Sequence, residues 1–296
     1  MRLIKPSDMK AVHKKIVLHD RSIPLLILYR KNKEFDKMGN TEEKQKKRTG
    51  VLWIHGGGYF LGMKEMVYMS RALDLVRFHD AVVVSPGYRL SLQKPYPAAI
   101  DDCYQTLLYI KENADQLGIR NDQIFVGGES AGGGLAAVLC MMARDKKQVQ
   151  IAYQMPLYPM LDNFDTESSK DNHARIWNTK RNHFGWKTYL REHANEVVSP
   201  YAAAARQTDY RNLPPAYTFV GKKEPFYQET KNYIENLQKC GIHAKIDVYD
   251  MDMHAFDMLK SKWKISRQAA WRFNKQFAHA QKTYFAKQPE DDVTRV

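Results

Sequence analysis

Residues 123–127 (QIFVG) form a short apolar run, and the chain from Ala131 onward is rich in Ala, Leu and Met. Between the two lies Gly128-Glu129-Ser130-Ala131-Gly132. A strand that turns into a helix across Gly-x-Ser-x-Gly has little conformational freedom. The turn must be tight and strained, the glycines let the chain approach itself, and the serine hydroxyl is lifted clear of the sheet. The helix that follows aims its amide end at the serine, which favours negative charge developing there. A Gly-rich turn with no chemistry has the same local pattern, so the rest of the chain has to decide between the two readings.

The rest of the chain has a strand–helix rhythm. Residues 15–30 read as a first pair of strands broken near Asp20-Arg21, and residues 51–54 are a short apolar run ending at glycines. Residues 80–85 (DAVVVS) are continuously apolar, as in a strand buried on both faces of a parallel sheet. Cys103, Leu107, Ile110, Ala114 and Leu117 then follow helical spacing, with Gly118 as the stop. Further strands are expected at 151–155, 216–220 and 244–249. A last helix carries Ala270, Phe273, Phe277, Ala280 and Tyr284 on one face. Such alternation implies an α/β fold with a mostly parallel sheet flanked by helices, and 296 residues fit a single domain. Residues 163–210 break the rhythm. They hold Trp177, Phe184, Trp186 and Tyr189 among polar residues with no clear strand, and they are far longer than an ordinary connection. They read as a helical insertion over the carboxyl edge of the sheet, where ligands bind in open α/β folds. The polar tail from Lys287 reads as frayed.

Composition excludes several classes. Hydrophobic residues at 44% and charged residues at 27% fit a soluble globular chain. No apolar run reaches the ~18 residues of a membrane helix, and the start has no secretory signal. Three widely spaced cysteines (Cys103, Cys140, Cys240) argue for a reducing, cytoplasmic compartment rather than a disulfide framework. The net charge of +13 is spread along the chain. Its densest run, residues 44–48 (KQKKR), lies in a polar stretch, 31–50, that also holds Glu34, Asp36, Glu42 and Glu43. That stretch reads as a solvated hairpin loop, and no nucleic-acid module accompanies it. There is no His-Glu-x-x-His and no Cys pair at zinc spacing, so no metal is expected.

Two further motifs support chemistry at Ser130. His55-Gly56-Gly57-Gly58 follows the run at 51–54. Consecutive glycines leave N–H groups unshielded, so those of Gly56 and Gly57, with that of Ala131, can form an oxyanion hole. A phosphate cradle fits poorly, because Met63 stands where lysine is needed. His55 reads as a prop for the loop. His254, in Asp252-Met253-His254-Ala255-Phe256, follows the last expected strand and would serve as general base, then general acid. Glu224, in Gly221-Lys222-Lys223-Glu224-Pro225, could orient it, or could merely stand at a helix start before Pro225. Asp250, Asp252, Asp257 and Glu229 are alternative acids.

As a set, His55-Gly56-Gly57-Gly58, Tyr88-Arg89-Leu90, Pro95-Tyr96-Pro97-Ala98-Ala99, Gly128-Glu129-Ser130-Ala131-Gly132-Gly133, Leu213-Pro214-Pro215-Ala216 and His254-Ala255-Phe256 resemble the hormone-sensitive-lipase-like carboxylesterases over about residues 50 to 260. The resemblance implies the α/β-hydrolase fold, cofactor-free ester hydrolysis, a cap over the pocket, and Ser130, Glu224 and His254 as nucleophile, acid and base. It departs from the family at Glu224, where an aspartate is usual, and at Ser91-Leu92-Gln93-Lys94. Only about 14 residues precede the first expected strand, too few for the family's two-helix cap segment. The cap would then come mainly from residues 163–210, with a more open pocket. Family members often pair through the last strand, so a homodimer is a further expectation. The expected reaction is hydrolysis of a small-molecule ester of short or medium acyl chain. An amide or arylformamide hydrolase with the same triad and a non-catalytic receptor on the same fold are the alternatives. Tyr59, Trp177, Phe184 and Trp186 are candidates for the pocket wall or for the core of the cap.

Overall fold

The computed structural model describes residues 5–31 and 47–290. Its frame is one eight-stranded sheet of β1 (Met9–Val17), β2 (Ser22–Arg30), β3 (Arg48–Ile54), β4 (Val82–Pro86), β5 (Ile119–Glu129), β6 (Tyr153–Leu157), β7 (Ala216–Gly221) and β8 (Ala244–Tyr249). The spatial order is β1-β2-β4-β3-β5-β6-β7-β8. β1 and β2 form an antiparallel hairpin, β2 runs antiparallel to β4, and every other pairing is parallel.

The strands alternate faces along the chain. In β3, Leu52 and Ile54 enter one buried cluster while Val51 and Trp53 enter the other. This is the two-residue period of a strand covered on both sides. α2 (Ala98–Glu112), α3 (Ala131–Lys146) and α5 (Tyr227–Lys239) contribute to the first cluster, and α1 (Ala72–His79) and α7 (Lys264–Thr283) to the second. α4 (Thr179–Leu190) lies in the insertion, and α6 (Phe256–Leu259) is a single turn after β8.

Several boundaries differ from the sequence reading. β1 begins at Met9, well before the expected start. β2 pairs with β4 and not with β3, so the two strands on either side of the expected hairpin loop at 31–50 are not neighbours, and Arg48 to Gly50 already belong to β3. Residues 32–46 themselves lie outside the described residues. α2 stops at Glu112 although its apolar spacing continues to Leu117. The chain passes through turns until Gly118, whose φ of 64° allows the reversal into β5. The sixth strand sits two residues later than expected. On α7 the buried face uses Ala269 with Phe273, Phe277 and Ala280, while Ala270 is only half-buried. The tail is anchored as far as Gln288. Its Nε2 donates to Gln150 O, and its Oε1 accepts from Gln150 N, both at 2.9 Å. Residues 163–210 hold one α-helix and two short 3-10 turns, Arg191–Asn195 and Ala204–Arg206, and are otherwise irregular. Asn178 caps α4 by accepting from Arg181 N.

Candidate active site

The carboxyl ends of the parallel strands converge on Ser130. It follows β5 directly and adopts φ 57°, ψ −121°, a strained conformation for a residue with a side chain. Backbone bonds hold it there. Ser130 N–H donates to Leu157 O, and Ser130 O accepts from Gly134 N and Met160 N, each at 3.0 Å. Close approach makes the turn possible: a Cβ on Gly132 would lie 2.1 Å from Ile54 O. α3 begins at Ala131, where the first N–H groups of a helix have no partner within it.

His254, after β8, lies with its Nε2 2.9 Å from Ser130 Oγ, and its Nδ1 faces Glu224 Oε2 in a short hydrogen bond. The donor pattern is consistent with Nδ1–H donating to the carboxylate and Nε2 accepting from the serine hydroxyl. Glu224 follows β7, and its other oxygen accepts from Gly221 N–H at 2.9 Å. Glu224 is wholly buried and His254 nearly so, which excludes solvent from the pair. The other acids stand elsewhere. Asp250 is exposed beside Lys223 at 2.8 Å. Glu229 accepts from Leu161 N–H at 2.7 Å, and burial pushes its carboxyl well up. Asp257 is buried and pairs with Arg71 and Tyr158.

The glycine loop after β3 reaches the same spot. Gly57 has φ 117°, which side chains rarely adopt, and a Cβ on Gly56 would lie 3.2 Å from Ser130 Cβ. His55 is stacked on Tyr88 at 4.2 Å, and its Nδ1 is 2.8 Å from Gly56 O. Burial lowers its imidazole to about 4, so it stays neutral and can donate to that carbonyl as a prop.

The four aromatic candidates divide. The Trp177 ring lies 6.2 Å from His254, and its edge overhangs Gly58, whose Cβ would lie 2.3 Å from it. Phe184 is half-exposed and packs edge-to-face on Phe60 at 4.9 Å. Tyr59 and Trp186 are buried together 5.4 Å apart, and Tyr59 stacks on Tyr189 at 4.1 Å and donates to Met160 O. Trp186 also borders a separate cavity of about 560 Å³ with Asn163, His183 and Lys187. Phe226 and Tyr158, which the sequence reading did not single out, flank His254 edge-to-face at 5.1 Å each. Their only sequence signal is proximity to Glu224 and to the end of β6.

A family model described as alpha/beta hydrolase fold matches residues 51–258. The chain belongs to the alpha/beta hydrolase family. Among its relatives, the chain is 32% identical over 227 residues to an AB hydrolase superfamily protein of Schizosaccharomyces pombe, a match covering 72% of this chain and 66% of the relative. It is 29% identical over 213 residues to the carboxylesterase NlhH of Mycobacterium tuberculosis, covering 70% and 66%. The matched region thus spans just under two thirds of each of these relatives. Among solved structures, a bacterial heroin esterase superposes with a TM-score of 0.83 at 27% identity, covering 95% of this chain and 86% of that one. Relatives named carboxylesterase bear out the resemblance to hormone-sensitive-lipase-like carboxylesterases.

Proposed function

We propose that this hydrolase is a serine carboxylesterase acting on short- to medium-chain esters. The observation that carries the reading is the buried hydrogen-bonded line Glu224–His254–Ser130, ending on a strained serine beside the glycine loop. Ser130 Oγ attacks the ester carbonyl as His254 Nε2 takes its proton. The amides of Gly56, Gly57 and Ala131 stabilise the oxyanion, and His254 then protonates the departing alcohol. Water repeats the sequence in reverse roles to release the acid from the acyl-enzyme. Glu224 orients the imidazole and stabilises its charged form. Relatives and structural neighbours named as esterases favour an ester over an amide substrate.

Residues 163–210 act in this reading as the cap of a single-domain enzyme, with Trp177, over the glycine loop and 6.2 Å from His254, as its contribution to the pocket wall. Two copies pair through β8. That strand ends the sheet, Val248 and Trp271 are exposed beside it, and Arg272 on α7 reaches Asp247 on β8 at 3.5 Å. A monomer mass by light scattering at micromolar concentration would count against this pairing. Free thiols at Cys103, Cys140 and Cys240 support a reducing, cytoplasmic setting. Among the described residues no helix is long and apolar enough to cross a membrane.

The test is nitrophenol release from p-nitrophenyl acetate, butyrate, octanoate and palmitate by the wild type and Ser130→Ala. Turnover of the shorter esters by the wild type, reduced about 10⁶-fold in the variant, supports the reading. Full activity in the variant sinks it. A folded but silent wild type favours an amide substrate or a receptor role instead.

A further inference from the structure

The residue before the nucleophile is a buried carboxyl group that this mechanism leaves unused. Glu129 is 2% exposed. Its Oε2 accepts from the Trp53 indole N–H at 2.8 Å and its Oε1 from the Arg71 backbone N–H at 3.2 Å. Trp53 is the next-to-last residue of β3, so the chain runs from it through Ile54 into the glycine loop. Glu129 ends β5, so the chain runs from it into Ser130 and Ala131. One carboxyl therefore joins the two segments that supply the oxyanion amides, and they touch at this point: a Cβ on Gly56 would lie 2.9 Å from Glu129 O. Taking the serine-esterase reading as its basis, we propose that Glu129 is a positioning residue for the oxyanion site, fixing through Trp53 the separation between the Gly56 and Gly57 amides and that of Ala131.

Its charge bears on the same site. The ionisable groups around it are Arg71 just before α1, Asp74 on α1, Asp257 on α6 and Tyr158 after β6. The Arg71 guanidinium is shared, with Nε 3.1 Å from Asp257 and Nη1 2.7 Å from Asp74. The Tyr158 hydroxyl donates to Asp257 at 3.0 Å. One guanidinium among three carboxyl groups leaves Glu129 without a counter-charge of its own. Burial, then Asp257, push its carboxyl up to about 8, against the pull of the Trp53 and Arg71 N–H groups and the Arg71 charge. Below that pH the carboxyl is neutral. Above it, a negative charge stands one residue from the nucleophile and opposes oxyanion formation, so kcat falls.

The experiment is the pH profile of kcat and KM for p-nitrophenyl butyrate in the wild type, Trp53→Phe, Asp257→Asn and Glu129→Gln, with folding checked by circular dichroism. Trp53→Phe keeps a ring and removes the donor. It should lower kcat about 10-fold with KM little changed, because the oxyanion exists only beyond the ground state. Its alkaline limb should move to higher pH, since the lost N–H favoured the ionised carboxylate. Asp257→Asn removes a repelling charge and should move the limb to lower pH, and Glu129→Gln should abolish it. A carboxylic C=O infrared band that titrates near pH 8 in the wild type and is missing from Glu129→Gln reads the same proton without turnover. Wild-type kcat in Trp53→Phe, or a limb unmoved by both Trp53→Phe and Asp257→Asn, overturns the proposal, even if Glu129→Gln fails to fold. Ser130→Ala separates the two failures. An active Ser130→Ala sinks the serine reading, whereas a silent one combined with unmoved limbs sinks the role of Glu129 alone.

Discussion

Glu224 is joined to His254 through one carboxylate oxygen and to Gly221 N–H through the other, so its geometry is fixed from two sides. Replacing it by glutamine keeps the shape but offers an amide in place of a charge, and it favours the wrong imidazole tautomer. Glu224→Gln should therefore cut kcat by about 10⁴ with KM little changed, as steady-state kinetics on p-nitrophenyl butyrate would read. A loss below tenfold would point to a different acid. At this scale the sequence was most legible where function is written in adjacent residues. Gly128 to Gly132 and His55 to Gly58 impose their own turns, so their geometry could be expected from the residues alone. Arg71, Asp257 and Tyr158 meet only after the sheet closes, and nothing local to any of them announces the meeting. The pocket aromatics were opaque for the same reason. Trp177 and Trp186 are nine residues apart in the same insertion, yet one, just before α4, overhangs the glycine loop and the other, on α4, packs on Tyr59.

The element that carries most of the burden is α3. It is buried from Ala131 to Ala143 because it is wedged between the sheet, α2 and the insertion, and small residues on its first turn allow the close approach at Gly132. Leu139 lies in its middle and is fully buried. Leu139→Ala should destabilise the fold by about 2–5 kcal/mol, read as a lower urea midpoint with an unchanged slope. A loss under 0.5 kcal/mol would mean that the core around α3 is looser than described. α3 was legible because burial on every side leaves continuous apolar sequence, and β3 was legible only over its apolar residues 51–54. Their ends were less so. The apolar spacing of α2 runs on to Leu117, but those side chains are buried from a series of turns and not from a helix. Burial alone does not specify the backbone that delivers it.

For the whole molecule, two buried groups bias stability with pH in opposite directions. His55 is lowered from 6.5 to about 4, so the unfolded chain binds a proton that the fold refuses, and stability is lost as pH falls from about 6.5 towards 4. Glu129 is raised from 4.5 to about 8, so the fold holds a proton that the unfolded chain releases. Its contribution is fully present below about 4.5 and is lost as pH rises towards 8. The Tm of Glu129→Gln minus that of the wild type should therefore grow between pH 5 and 8 and level off above, as calorimetry across that range would read. A constant difference would mean that Glu129 is ionised throughout. Neither group advertises this in sequence, because burial is a property of the finished fold.

The order of the chain gives the site a sense of time. In the proposed reading the nucleophile comes early, just after the inner strand β5, while its base comes after β8, an edge strand that among the described residues pairs with β7. In the serine-esterase reading, the turn that shapes Ser130 rests on backbone bonds to Leu157, Gly134 and Met160, whereas its base comes within reach only through the edge that carries His254. Turnover thus reports completion of assembly. In mild denaturant, fraying of that one edge should silence the enzyme while the rest of the sheet is still intact.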